Sequence, residues 1–177
     1  MEDISLHILD IVENATRAGA TLVEVKIVNN QEQDLFQIII RDNGSGMDGD
    51  MVNRVRDPFA TTRTERRVGL GIPMLDQAAT EAEGNLTIRS MRDQGTEIIA
   101  TFKSSHIDRK PLGDLGSTLI TLIMGNPDID FVLSYDNNGE ETVVDTREIK
   151  SELDEVTITE PAVLNMIRDL FKNIDNF

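Results

Sequence analysis

Between Ile4 and Phe102 the spacing of apolar side chains changes period three times, and that succession limits the fold more than any single motif. Ile4, Ile8, Ile11, Val12 and Ala15 lie on one helical stripe, and Gly19 stops the helix they predict over Ile4–Ala18. TLVEVKIV (Thr21–Val28) then alternates with period two and is rich in β-branched residues, as a half-buried strand requires. The polar stretch Asn29–Asp34 reads as a hairpin turn into a second strand, Leu35–Arg41. A short helix is expected over Asp48–Arg56, then a polar, basic, irregular stretch over Asp57–Val68. Helical spacing returns from Ile72 to Ala82, and NLTIRSM and GTEIIATF follow as a hairpin turning at Arg92–Gly95. Helix, two strands, helix, two strands predict an α+β, two-layer α/β sandwich, a mixed sheet with helices on one face.

The last part of the chain is organised differently. Ser105–Pro111 reads as a connector, Leu112–Met124 as a helix, and Asp130–Tyr135 and Thr142–Asp145 as strands. Pro161 at a helix start predicts a final helix reaching about Lys172. The expected division is residues 1–104 and a small acidic α/β extension, 105–177. About 70 residues bury too little surface to be comfortably independent, so this part is expected to pack on the first or on a partner.

Composition removes several function classes. With no cysteine among 177 residues there are no disulfides, thiolate nucleophiles or cysteine-held metals. His7 and His106 are the only histidines, too few for a histidine-built metal site. The net charge of −15 opposes binding to nucleic acid or anionic lipid. It is concentrated at the end: from Ser105 onward 15 acidic side chains face 6 basic ones. The acidic, amphipathic start is unlike a secretory signal, and no run approaches the roughly 20 apolar residues of a membrane span. A cytoplasmic protein is expected. Arg63, Arg66 and Arg67 form a local basic cluster that can hold a phosphate within this acidic chain.

Four groups of residues can carry chemistry. Asp10 and Asn14 are four apart and lie one above the other on a helix face. The Asn14 amide oxygen suits Mg²⁺, which keeps most of its waters, and the Asp10 carboxylate can orient or deprotonate an attacking group. A solvated polar pair is the plain alternative. RDNGSGM (Arg41–Met47) closes the second strand. There Gly44 and Gly46 let backbone approach a flat ligand, and Asp42 can accept from an exocyclic amine, although Asp-Asn-Gly also makes an ordinary turn. Gly69, Leu70 and Gly71 precede a helix whose free N–H groups attract phosphate, with the three arginines just before them. Thr96 follows Gly95 on the last strand of this part, where its hydroxyl can reach a base or its water.

In this order the four motifs resemble the N, G1, G2 and G3 boxes of the GHKL (Bergerat-fold) ATPases, over about Ile4–Phe102. ENATRAGA is similar to the first box of MutL-type ATPases and RDNGSGM to their second, whereas DPFATTR followed by GLGIPML is similar to the lid and G2 region of histidine kinases. The resemblance implies an ATP site. Asn14 would ligate Mg²⁺ and Asp42 would read adenine. Gly44, Gly46, Met47 and Thr96 would line the base pocket, Gly69, Leu70 and Gly71 would hold phosphates, and Arg63, Arg66 or Arg67 would reach in from a small lid. Hydrolytic members carry Glu where this chain has Asp10, one methylene shorter, so slow hydrolysis or none is expected.

The phosphoacceptor hairpin that kinases of this family place ahead of the ATPase domain is missing before Met1, so a stand-alone histidine-kinase-like protein is expected. His7 falls inside the first helix and reads as structural. SHIDRKPL around His106 partly matches a phosphoacceptor box, or is a linker that happens to look so. Expected partners are ATP and a protein met through the C-terminal part, with a homodimer possible. Two other readings remain open: a nucleotide-gated interaction switch with little turnover, and a MutL- or topoisomerase-like ATP-dependent clamp. The short acidic chain counts against the clamp.

Overall fold

A computed structural model describes residues 3–56 and 70–172. Helix α1 (Ile4–Arg17) starts where the Asp3 carboxylate accepts from Leu6 N at 3.0 Å and ends before Gly19, which adopts φ +78°. Strands β1 (Leu22–Asn30) and β2 (Leu35–Asp42) form the expected hairpin. Helices α2 (Gly49–Val55) and α3 (Gly71–Glu81) follow, then the hairpin of β3 (Asn85–Met91) and β4 (Gly95–Lys103). Next come α4 (Leu115–Gly125), β5 (Asp130–Asn137), β6 (Glu140–Asp145), α5 (Thr146–Glu152) and α6 (Pro161–Phe171).

The six strands form one mixed sheet in the order β3-β4-β2-β1-β5-β6. Strand β5 runs parallel to β1, pairing Leu22 with Asp130 through Asn29 with Asn137, and every other pairing is antiparallel. The connector Ser105–Pro111 therefore joins strands of one sheet. It is tied down along its length: Ile4 N donates to Pro111 O and Ser5 N to Leu112 O, and the Arg109 guanidinium lies 5.0 Å over the Phe36 ring.

Helix α4 starts at Leu115, three residues later than its apolar pattern suggests. Gly113 takes φ +79°, which ends any helix there, and the Asp114 carboxylate caps the new start through Ser117 N at 2.7 Å. Helix α5 is an addition that its polar sequence does not advertise. Asp145 caps it, and buried Thr146 accepts from Phe131 N at 2.8 Å.

One core joins both parts of the chain. Ile8 and Val12 from α1, Ile27, Ile38 and Ala100 from the sheet, and Leu119 and Ile123 from α4 are all buried. On fully burying an aliphatic side chain the gain is about 1.5–3 kcal/mol, so the α4 contribution is substantial. Helix α6 packs Val163, Leu164, Ile167 and Phe171 inward, next to α4. No described helix is long and apolar enough to cross a membrane.

Candidate functional site

A cavity of about 960 Å³ opens between α1 and the ends of β2 and β4. Alternation within the strands explains its lining. Ile38, Ile40 and Asp42 share the helix-facing side of β2, as Thr96 and Ile98 do on β4, so the inward side chain nearest this end is polar on both strands. Asn14, Ala15 and Arg17 reach the same space from the last turns of α1. Its apolar walls and few convergent polar groups suit a flat organic ligand with a charged end.

The glycine-rich turn after β2 is held in place by side chains. Asp42 Oδ1 accepts from Gly44 N at 2.8 Å, and Asn43 Oδ1 accepts from Thr21 N and Leu22 N at 2.8 and 3.0 Å. Gly46 takes φ +62°, and a Cβ there would collide with the Met91 carbonyl. Gly95, at φ +84°, would collide in the same way with the Asp42 carbonyl. These two glycines let the β2 turn and the β3–β4 turn touch through backbone alone. Ser90 Oγ completes the joint: it accepts from Met47 N at 2.8 Å, donates to Gly95 O at 2.9 Å and lies 2.9 Å from Thr96 Oγ1.

Two features of the cavity's polar groups are unlike ordinary satisfied structure. Burial pushes the Asp42 carboxyl above its usual value, against the backbone hydrogen bonds from Gly44 and Thr96. Asn14 Nδ2 is buried without a hydrogen-bond partner, while its Oδ1 receives only a long 3.4 Å contact from Arg17. Leaving such a group unmet costs about 1–3 kcal/mol, which a ligand can recover.

The expected residues stand in different relations to the cavity. Asn14, Asp42, Gly46, Met47 and Thr96 surround the cavity. Gly44 supports it from outside through its bond to Asp42. Asp10 and Gly71 meet at its margin: Gly71 opens α3, a Cβ on it would collide with the Asp10 carboxylate, and Ile72 beside it lines the cavity. Leu70 stands at the cap position of α3 and is exposed. Arg63, Arg66, Arg67 and Gly69 lie outside the described residues.

Arg17 lies inside ENATRAGA but is given no role there, yet it lines the cavity and its guanidinium also pairs with Glu13 at 3.0 Å. The signal that finds it is its place three residues after Asn14, on the same helix face.

The two histidines are elsewhere. His7 is buried with neither ring nitrogen partnered, and burial holds its pKa below the usual value. His106 follows β4 at the end where Lys103 pairs with Leu35, whereas Thr96 pairs with Asp42. Seven strand residues separate those ends, about 24 Å. The His106 ring accepts from Asp108 N at 3.2 Å and lies 3.5 Å from Glu83. It is too far from the cavity to take a phosphoryl group within one chain.

Residues 2–106 match the family model described as histidine kinase-, DNA gyrase B- and HSP90-like ATPases. The tetrathionate sensor histidine kinase TtrS of Salmonella typhimurium is 30% identical over 111 residues, 62% of this chain and 18% of that protein. Sporulation kinase E of Bacillus subtilis is 30% identical over 97 residues, 54% of this chain and 13% of its own length. The chain thus spans under a fifth of either relative. In fold it is similar to the N-terminal domain of a DNA repair protein, at TM-score 0.54 and 14% identity, covering 81% of this chain and 52% of that one. Motif order, sheet topology and the family match over more than half the chain agree: this protein belongs to the GHKL family of histidine kinase-, gyrase B- and HSP90-like ATPases.

Proposed function

We propose that the cavity binds Mg–ATP and that the protein passes the γ-phosphoryl group to a partner protein. The observation that carries the ATP reading is the meeting of a half-buried carboxylate, Asp42, with the buried and unpartnered amide nitrogen of Asn14 in one cavity inside the family's ATPase region. Asp42 accepts from the adenine amine, supported by Thr96, while Gly46 and Met47 contact the base. Arg17 and the start of α3 at Leu70–Gly71 hold phosphate oxygens, together with Gly69 and one of Arg63, Arg66 and Arg67.

Asn14 fits Mg²⁺ as a single amide-oxygen ligand. Among the described residues no three His, Cys, Asp or Glu side chains gather as a metal cluster, so phosphate oxygens and water would complete the shell. The ion would neutralise charge on the phosphates. Asp10, against the start of α3, accepts the proton of the attacking group, a His, Ser or Thr of the partner. ADP leaves, and the partner docks on the C-terminal part of the chain.

A second reading, a nucleotide-gated switch with little turnover, is favoured by Asp10 itself. Its short side chain is packed against Gly71, which limits how far its oxygens can advance. A displacement of about 1 Å at a reacting group can cost roughly 10²-fold in rate.

One experiment separates the readings. Wild type, Asp42→Asn and Asn14→Ala are incubated with Mg²⁺ and ATP labelled at the γ-phosphate, with and without candidate partner proteins. Binding, released phosphate and protein-bound label are followed together. Partner-dependent label lost in Asp42→Asn supports the kinase. ATP binding without label or phosphate supports the switch. No ATP binding by the wild type overturns both.

A further inference from the structure

Ser90, on β3, does not line the large cavity, yet its hydroxyl bonds to three residues at the cavity's edge: Met47, Gly95 and Thr96. Joining the two glycine turns would need only the first two of these bonds. The third reaches a side chain that does line the cavity.

The direction of that third bond follows from the other two. A serine hydroxyl has one hydrogen and two lone pairs. The carbonyl of Gly95 can only accept, so the Ser90 hydrogen goes there, at 2.9 Å. The backbone N–H of Met47 can only donate, so it occupies one lone pair, at 2.8 Å. What remains for Thr96 Oγ1, 2.9 Å away, is a lone pair. Thr96 is therefore the donor, and its one hydroxyl hydrogen is turned to Ser90. Toward the cavity its oxygen offers lone pairs alone.

Asp42 stands directly opposite Thr96 in the β2–β4 register. Its carboxylate accepts from Gly44 N and Thr96 N, and it keeps acceptor capacity with no hydrogen to give. Residues paired in this way have Cβ atoms about 4.5–5.5 Å apart. An amine whose two N–H bonds diverge by about 120° and reach about 2.9 Å to their acceptors spans about 5 Å between them. Two acceptors at that spacing suit one –NH₂ group and leave a carbonyl without a donor.

We infer that Ser90 is a positioning residue for base choice: by holding Thr96 as an acceptor, it makes the cavity select a purine with an exocyclic amine over one with a carbonyl at that edge. The step rests on the cavity being a nucleotide site, as proposed above. Without the Ser90 hydroxyl the Thr96 hydrogen is free to turn, and Thr96 can donate to a carbonyl as readily as it accepts from an amine.

The test compares ATP with inosine triphosphate, which carries a carbonyl where adenine carries its amine. Binding of each with Mg²⁺ is measured by calorimetry on the full chain, with far-UV circular dichroism as a check of folding. Wild type is expected to prefer ATP about a hundredfold, because the carbonyl is left unmet. Ser90→Ala should cut that preference about tenfold, with inosine triphosphate losing less affinity than ATP or gaining some. Ser90→Thr, which keeps the hydroxyl, should keep the preference. In a Thr96→Val background, Ser90→Ala should leave the preference unchanged, since no hydroxyl remains to be turned. Should Ser90→Ala fail to fold, Ser90→Cys replaces it, because a thiol is a poor partner for Thr96. A Ser90 variant that weakens both nucleotides in equal proportion is only loosening the joint, and overturns the inference. So does an effect on the preference that persists in the Thr96→Val background. Equal binding of both nucleotides by wild type overturns it and leaves the nucleotide site standing, whereas binding of neither overturns both.

Discussion

Two aspartates at opposite ends of β2 show how differently one side chain can be used. Asp34, just before the strand, is satisfied by its neighbours: Ser105 donates to it from both N and Oγ at 2.7 Å, and these bonds hold its carboxyl below the usual value. Asp42, the last residue of the strand, is pushed the other way by burial. Around Asp34 the polar groups answer one another, Lys103 with Glu83 at 2.8 Å and Ser104 with Asn29 at 3.0 Å. Around Asp42 an amide nitrogen is left unmet. The first end is organised for stability and the second is organised at stability's expense, as expected where a ligand completes the hydrogen bonding.

The largest effect should come from the backbone joint at the Asp42 end. Gly95→Ala forces a Cβ onto a carbonyl at positive φ, and should lower stability by about 2–4 kcal/mol in a denaturant melt while abolishing ATP binding. If it melts like the wild type, the joint is looser than described.

Asp42→Asn should separate binding from stability. ATP affinity by calorimetry should fall about a hundredfold, because the replacement offers the adenine amine a neutral acceptor or a competing donor. The melting temperature should hold or rise. A carboxyl whose folded-state pKa is raised costs the fold stability as pH climbs from its ordinary value of 3.8 through the raised one, and Asn removes that cost. A large fall in melting temperature would mean that Asp42 is structural after all.

Asp34→Asn should do the reverse, lowering stability at neutral pH and leaving ATP affinity unchanged. Because its folded-state pKa is depressed, its contribution is present above the ordinary value of 3.8 and is lost as pH falls through the lower one. Wild type and variant should therefore converge in acid melts. Failure to converge would assign the loss to something other than the carboxylate.

The smallest effect is expected from His106→Gln. ATP binding and any phosphoryl transfer should be unchanged, with at most a slight loss of stability from the Glu83 contact. Loss of label in this variant would require transfer between two copies, since the cavity lies at the far end of the sheet.

Much of the site was legible because its determinants are local. Asp42, Gly44 and Gly46 sit within one turn, Asp10, Asn14 and Arg17 lie one helical turn apart, and short-range spacing places such groups without knowledge of the fold. Arg17 escaped, although it lies inside ENATRAGA, because the motif assigns a role there to Asn14 alone. The late start of α4 escaped because an apolar Leu112 continues the helical pattern through a glycine that breaks it.

By itself, then, the sequence determined the element order of the first hundred residues and the family, and it singled out Asn14, Asp42, Gly46, Met47 and Thr96, which the structure brings to one cavity. All of these follow from periodicity and turn chemistry over a few residues. Tertiary structure alone decided that β5 enters the sheet parallel to β1, that Asn14 is left with an unmet amide nitrogen, that His106 lies past the end of β4 remote from the cavity, and that Ile39 and Ile99 face outward. Each depends on which distant segments meet, and that is settled by packing a whole core, which no local pattern records.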